Sequence, residues 1–416
     1  MEILPTPEPA PVPGVIDVTV RHRGAAEAMR RSAEAVSVVE TKDARRQTAD
    51  LGEVLARTSG IGVQRAGGLG SDSRFYLNGL TDDQIRFFLD GVPLELSGFL
   101  YGIANVPVNL IERAEVFRGV VPIRFGADAL GGAVNLVSAG SFAPKRSSAS
   151  VQLGSFGTAR LTGSTQYLHE PSGWFTRATA FLDKADNDYP MHIKTASASG
   201  QSSNARVYRF HDAYRAVGGS IETGVIDRRW ADRLLLRAFV VDYDKQIQND
   251  PLMNYVYGRV TRGDFTSGAT LRYEHAFRKV SVSAIAGYTF EQIKFRDLGD
   301  CVYSWFGQCV RMRPQPGEIQ VGARDQVFWT HSAYGRANVE LPIARGHTVR
   351  ASLSPTYSTR SGDERIETTA NARDPLEAQR DLYGLVSALD YKLDVFGERL
   401  ENVAFVKDYV QELRSE

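Results

Sequence analysis

The lengths of the links between its strands constrain this chain more than any other feature of its sequence. Beyond residue 148 the sequence runs as extended segments near 148–156, 159–168, 174–184, 206–226, 233–247, 265–277, 280–296, 327–343, 346–359, 382–396 and 399–409. After the first hairpin the links alternate in length. Short turns fall at Glu170–Gly173, Arg228–Asp232, Arg278–Lys279, Ala344–Arg345 and Gly397–Glu398, and long loops at 185–205, 248–264, 297–326 and 360–381. Short turns on one rim and long loops on the other are the mark of an antiparallel transmembrane β-barrel. A soluble sandwich has no reason to segregate its loops by length.

The residues within those segments agree. Ala269, Leu271, Tyr273, His275 and Phe277 alternate with Thr270, Arg272, Glu274 and Ala276. Val280, Val282, Ala284, Ala286, Tyr288 and Phe290 alternate with Ser281, Ser283, Ile285, Gly287 and Thr289, and Val349, Ala351, Leu353, Pro355 and Tyr357 with Arg350, Ser352, Ser354 and Thr356. Each segment therefore has one apolar and one more polar face. There is no stretch of 18 apolar residues, so no membrane-spanning helix is encoded, while alternating strands average to mild polarity. The 49 basic and 49 acidic residues balance, which gives no general sign of nucleic-acid binding.

Eleven segments are an odd number, whereas single-chain bacterial barrels close with an even one. The last residues, Gln411 to Glu416, are polar. About 550 residues, at roughly 25 per strand, would build a 22-strand barrel, against the 276 that follow Gly140. The expectation is an incomplete barrel of about 11 of 22 strands, in a mainly β chain with a small α+β domain in front. The domains expected are a Pro-rich tether at 1–14, a short β-prone segment at 15–20, the α+β domain at 30–140 and the partial barrel at 148–416. The opening MEILPTPEPAPVPG has neither the basic nor the apolar region of a signal peptide, which points to a leader lost from the record or a misplaced start.

Within residues 36–138 several short runs recur in a fixed order. They are Val36-Ser37-Val38-Val39, Leu51-Gly52-Glu53-Val54-Leu55, Ser59-Gly60-Ile61-Gly62-Val63, Leu89-Asp90-Gly91-Val92-Pro93, Val106-Pro107, Ile111 to Gly119, and Phe125 to Leu136. In this order, directly before a barrel, they resemble the plug domain of TonB-dependent receptors. One departure is Asn78-Gly79, where that family commonly has Arg-Gly.

The resemblance implies an outer-membrane protein that actively imports a scarce nutrient: a ferric siderophore first, otherwise a cobalamin or an oligosaccharide. A ligand-sensing signal transducer of the same fold and a surface receptor or adhesin are the alternatives. It further implies the partners: TonB with its inner-membrane energising complex, a small-molecule or metal-chelate ligand, and outer-membrane lipid. No cofactor and no nucleic acid is implied. Val15, Ile16, Asp17, Val18, Thr19 and Val20 resemble the TonB-coupling box, an extended segment that adds a strand to its partner's sheet edge; the other reading is the plug's first strand.

Several residues carry physical arguments of their own. Asp90-Gly91 is a tight-turn pair, as in any hairpin. Gly126, Gly131 and Gly132 allow turning and close packing. Glu112, Arg113, Glu115 and Arg118 lie on one strand, with Glu112 and Arg118 on one face and Arg113 and Glu115 on the other; they anchor the plug to a polar barrel wall or form a solvated face. Ligand contacts are expected from the plug apex at Arg65–Ser73 and Leu94–Asn105, with Arg65, Phe99 and Tyr101 as candidates. Tyr303, Trp305 and Phe306 in the loop 297–326 are either ligand contacts or interface-belt aromatics. Cys301 and Cys309 in the same loop read as a local disulfide or as two free thiols. The seven histidines are scattered. Residues 67–70 lack the Lys-Ser/Thr of a phosphate loop, and no nucleophile elbow is present, so the chain does not read as an enzyme.

Overall fold

The computed structural model describes residues 29, 34–44, 51–81, 84–99, 103, 106–126, 129, 131–138, 142–196, 202–366, 374, 376–395 and 400–415. Two units make up the described chain: a small mixed domain and a large antiparallel sheet that curves around it.

The mixed domain holds β1 (Val36–Glu40), α1 (Leu51–Ala56), β2 (Ile61–Arg65), β3 (Ser73–Leu77), β4 (Leu80–Thr81), β5 (Ile85–Leu89), β6 (Val92–Pro93), β7 (Ile111–Arg118) and β8 (Gly132–Ser138). Five of these strands form one sheet in the order β1-β7-β8-β5-β6, with only β5 and β8 parallel, and β2-β3-β4 form a second. In α1, Leu51, Val54 and Leu55 share one side at helical spacing and are buried there. The helix ends at Ala56, and the turn that leads from it into β2 closes at Gly60 with a positive φ of 78°, a conformation open to glycine.

The large sheet has eleven strands: β9 (Lys145–Leu153), β10 (Ala159–His169), β11 (Trp174–Ala185), β14 (Tyr214–Arg228), β15 (Ala231–Gln246), β16 (Thr261–Ala276), β17 (Ser281–Asp297), β20 (Arg324–Ala344), β21 (His347–Glu364), β22 (Arg380–Val395) and β23 (Leu400–Ser415). Every neighbour is the next wall strand in the chain. Among the described residues β9 and β23 are edges and do not pair with each other. Outward positions carry the apolar stripe seen in the sequence: Leu236, Val240, Leu271, Tyr288, Val339 and Leu353 are all exposed there. In water such a face would be a liability; against lipid it is the favourable one.

One expectation needs correction. The segment 206–226 is not a single strand. Residues 190–196 form β12 (Pro190–Ala196), which pairs with β13 (Ser202–Tyr208) as a hairpin above the wall, and the wall strand starts only at Tyr214. The corner between them is fixed by Arg209 and Asp212, in contact at 3.1 Å, and by Lys245 Nζ, which donates to Asp212 Oδ1 at 2.8 Å. A period-2 reading cannot register a corner that holds buried charges. A second outer hairpin, β18 (Cys301–Tyr303) with β19 (Cys309–Met312), occupies the loop 297–326.

The inner face of the wall is not uniformly polar either. Phe181, Ala216, Phe239, Val241 and Tyr243 belong to the same buried cluster as Leu51, Leu55, Phe75, Leu77, Ile85, Val116 and Leu136. The core of the mixed domain thus continues into the wall at β11, β14 and β15. Where the wall touches the plug's apolar surface, burying apolar area outweighs the usual polarity of a barrel lumen.

Candidate functional site: the plug, its anchors and the outer vestibule

A buried polar relay runs from the middle of the plug to the wall. Arg113 donates to Glu115 Oε1 from Nε at 2.9 Å and lies within 2.8 Å through Nη2. Glu115 Oε2 accepts from Asn135 Nδ2 at 2.9 Å, and Asn135 Oδ1 accepts the Gly91 amide at 2.9 Å. On the far side of that turn, Arg336 Nη1 of β20 donates to the Gly91 carbonyl at 2.7 Å and to the Phe125 carbonyl at 3.1 Å. Arg272 of β16 donates to the Asp90 carbonyl. Asn338 Nδ2 donates to the Arg124 carbonyl at 3.2 Å, and Lys407 Nζ to that of Val121. The wall therefore grips the plug by backbone carbonyls at two turns.

The turns are shaped for it. Asp90 and Gly91 both have positive φ, 51° and 78°, as a two-residue hairpin turn requires. Asp90 Oδ1 accepts the Ser138 amide at 2.9 Å, tying the turn to the end of β8. Gly126 also has positive φ, and a Cβ there would strike the Ser354 hydroxyl of β21. Gly131 and Gly132 lie inside the plug, where a Cβ would meet the Gln84 and Phe117 carbonyls.

For Arg113, Glu115 and Arg118, three of the four β7 charges expected to anchor the plug, the observed partners lie within the plug. Arg113 and Glu115 are buried and pair with each other; they reach the wall only through Asn135 and Gly91. Arg118 donates to Ser37 Oγ at 2.7 Å and to the Ser59 carbonyl at 2.7 Å, both within the plug. The register shifts between Ile111 and Arg113, so strict alternation breaks at Glu112. Arg336, Arg272, Asn338, Lys407 and Asn135 escaped the sequence reading. Their signal was present: Arg336 and Asn338 fall on the same side of β20 as Thr330, Ser332 and Tyr334.

At the other end, the β2–β3 apex meets the base of the outer loops. Asn187 Nδ2 donates to the carbonyls of Leu69 and Asp212, each at 2.9 Å, clamping the apex to the corner of β14. Gly70 lies against the Tyr214 ring so closely that a Cβ would collide. Arg65 is exposed beside this apex. Phe99, expected at the apex as a ligand contact, is buried and stacks on Phe181 with ring centroids 5.9 Å apart, next to a bond from Tyr243 Oη to the Gly98 carbonyl at 2.9 Å. Tyr101, the tether and the segment Val15–Val20 lie outside the described residues.

Above the apex the two outer hairpins pack on each other. Cys301 and Cys309 are joined by a disulfide. Trp305 covers the buried Met191, Ile193 and Val207, and the Tyr303 and Phe210 rings lie 6.1 Å apart. Phe306 stays exposed. In the buried corner below, burial lowers the His211 pKa from its ordinary value and raises that of Asp212.

A model of the TonB-dependent receptor plug domain matches residues 28–133. This region is a plug domain of the TonB-dependent receptor type. The vitamin B12 transporter BtuB of Vibrio vulnificus (strain CMCP6) is 32% identical over 109 residues, which cover 26% of this chain and 18% of that protein. A variant of the ferric enterobactin receptor PfeA from Pseudomonas aeruginosa matches with a TM-score of 0.62 and 16% identity, over 94% of this receptor chain and 60% of that structure. The siderophore receptor PiuA from Acinetobacter baumannii matches with a TM-score of 0.56 and 12% identity, over 92% and 62%. At such identities the likeness is one of fold. The receptor chain spans about three fifths of these solved structures. Its place is the outer membrane, and its outward apolar stripe suits that solvent.

Proposed function

We propose that this receptor actively imports a scarce nutrient across the outer membrane, with TonB as the source of work and a ferric siderophore as the first cargo class to test, ahead of cobalamin and oligosaccharides. The observation that carries the reading is the plug seated against the wall and held by reversible polar bonds. A domain locked by a continuous apolar core on one side and by carbonyl-directed hydrogen bonds at Asp90–Gly91 and Phe125 on the other can be loosened without unfolding the wall. A passive pore gains nothing from a plug. The names of the relatives, among them a cobalamin transporter and siderophore receptors, support the cargo classes.

In this mechanism ligand settles on the outer vestibule and TonB captures Val15–Val20 by strand addition. A pull transmitted to β1 then acts on an edge strand of the plug sheet. The test is uptake of radiolabelled ferric siderophores and cobalamin by cells carrying the whole receptor, with and without TonB. Uptake that needs TonB and that Val18→Pro abolishes, with ligand binding retained, supports the reading, since proline removes a backbone donor and fixes φ. Uptake indifferent to TonB sinks it.

A further inference from the structure

We propose that Glu34 and Arg124 form a force-bearing latch that carries a pull on the N-terminal segment to the wall-anchored turn of the plug; this rests on the import reading above and names the residues through which work reaches the plug. Glu34 stands just ahead of β1, on the side from which the segment Val15–Val20 enters. Both of its carboxylate oxygens accept from Arg124: Oε1 from Nη1, and Oε2 from Nη2 at 2.7 Å. A fork-to-fork pair of this kind fixes direction as well as distance. The partners are 90 residues apart in the chain, so the contact exists only in the folded plug.

Arg124 is itself fixed in place. Its guanidinium lies 5.4 Å from the centroid of the Phe117 ring and 5.3 Å from that of Phe125, within cation–π reach of both. Those rings belong to a small buried cluster with Phe88, Val121 and Ala133. The backbone around Arg124 is also where the wall grips. The Arg124 carbonyl accepts from Asn338, the Phe125 carbonyl from Arg336 and the Val121 carbonyl from Lys407. A load on the Arg124 side chain therefore acts directly beside these three wall bonds.

A pull arriving at Glu34 has two ways into the plug. The backbone route runs through Ala35, whose carbonyl accepts the Arg118 amide at 2.9 Å, into the pairing of β1 with β7. Those ladder bonds lie within the plug, and breaking them peels off an edge strand while the wall bonds at 121–125 stay closed. The side-chain route passes from Glu34 to Arg124 and loads the gripped backbone itself. That backbone has room to move. A cleft of about 820 Å³ opens beside it, lined by Glu34, Arg118 and residues 120–124 of the plug and by Asn338 and Arg350 of the wall. With 35% of the Arg124 side chain and 20% of the Glu34 side chain exposed, the pair adds little to stability at rest. Its effect is on the path that force takes.

The whole receptor, held in lipid, is pulled at constant force through a handle attached ahead of Val15, and the time to the first rupture is recorded. Forced opening is governed by the barrier, so these lifetimes compare variants directly. Glu34→Gln and Arg124→Gln should each shorten the lifetime about fivefold, and the double variant should be no shorter than either, because partners in one contact are not additive. Without load, melting temperature and proteolysis at the Asp90–Gly91 turn should match wild type. In the uptake experiment above, the maximal TonB-dependent rate of the single variants should fall while the half-saturating ligand concentration stays unchanged. Wild-type lifetimes or wild-type maximal uptake in the single variants, a double variant shortened by the product of the two effects, or a plug already loosened without load would each overturn the latch. Uptake indifferent to TonB in the wild type would sink the import reading instead, and the lifetimes would still decide whether the pair bears force.

Discussion

Arg336 of the wall donates to the carbonyl of Gly91 at 2.7 Å, while the Gly91 amide donates to Asn135 at 2.9 Å. One turn is thus held from outside by the barrel and from inside by the plug. Because the wall's donors meet carbonyls rather than carboxylates, the joint has no acceptor that titrates near neutral pH.

Arg336→Met should loosen the plug. Two bonds from a charged donor are lost and two carbonyls are left in a buried setting, at about 1.5–3 kcal/mol for each such bond. The expected result is faster cleavage at the Asp90–Gly91 turn in limited proteolysis of the receptor in detergent. Arg336→Lys, which keeps one charged donor, should fall between. Cleavage at the wild-type rate would remove Arg336 from the role of anchor.

Gly91 and Gly79 separate backbone strain from packing. Both have positive φ, 78° and 84°, but a Cβ at Gly91 would come 2.9 Å from Arg336 Nη2, and one at Gly79 would meet nothing within 4 Å. Gly79→Ala should cost about 1–2 kcal/mol from conformation alone. Gly91→Ala should cost that and also displace Arg336, so its proteolysis pattern should resemble that of Arg336→Met. Chemical denaturation gives the first quantity and proteolysis the second.

The Cys301–Cys309 bridge closes a short loop under Trp305. Reduction should raise amide exchange in Cys301–Met312 and in the facing hairpin at 190–208, and should change Trp305 fluorescence. Exchange at Asp90–Gly91, far below, should stay unchanged. Labelling of both thiols in unreduced, folded receptor would contradict the bridge itself.

His211 supplies a pH dependence in the outer corner. Its ring Nε2 lies 2.8 Å from the Val260 carbonyl and burial depresses its pKa, so the folded state favours the neutral ring. A depressed basic group contributes fully above its unfolded pKa of about 6.5. That contribution shrinks as pH falls below this value, because the unfolded chain takes up the proton first, and it levels off once the folded pKa is passed. Asp212, raised by burial, acts with the opposite sign nearer the carboxylate range, weakening the corner as pH rises above its unfolded pKa of about 3.9. Protection factors at Phe210–Tyr214, exchange rates taken relative to the intrinsic rate at each pH, should therefore fall between pH 7 and 5.5, and His211→Gln should flatten that fall. A slope unchanged in the variant would assign it to another group.

The sequence by itself determined the architecture. Period-2 alternation and the segregation of link lengths are local properties of the chain, and they sufficed for eleven wall strands, because each strand pairs with its neighbour in the chain and turns its apolar face to lipid. The plug was legible through its ordered runs. What the tertiary structure decided was which polar groups meet. Arg113 and Glu115 are two residues apart, and alternation could place them on one face; that they pair with each other and hand the contact to Asn135 and Gly91 depends on β8 and β5 lying beside β7. The burial of Phe99 against Phe181 depends on an approach across 82 residues, and the anchor between Arg336 and Gly91 on one across 245. The corner at Arg209–Asp212 likewise interrupts a stretch that alternates as one strand would. Hydrophobic periodicity is written residue by residue, whereas a hydrogen bond between distant turns exists only once the wall has curved around the plug.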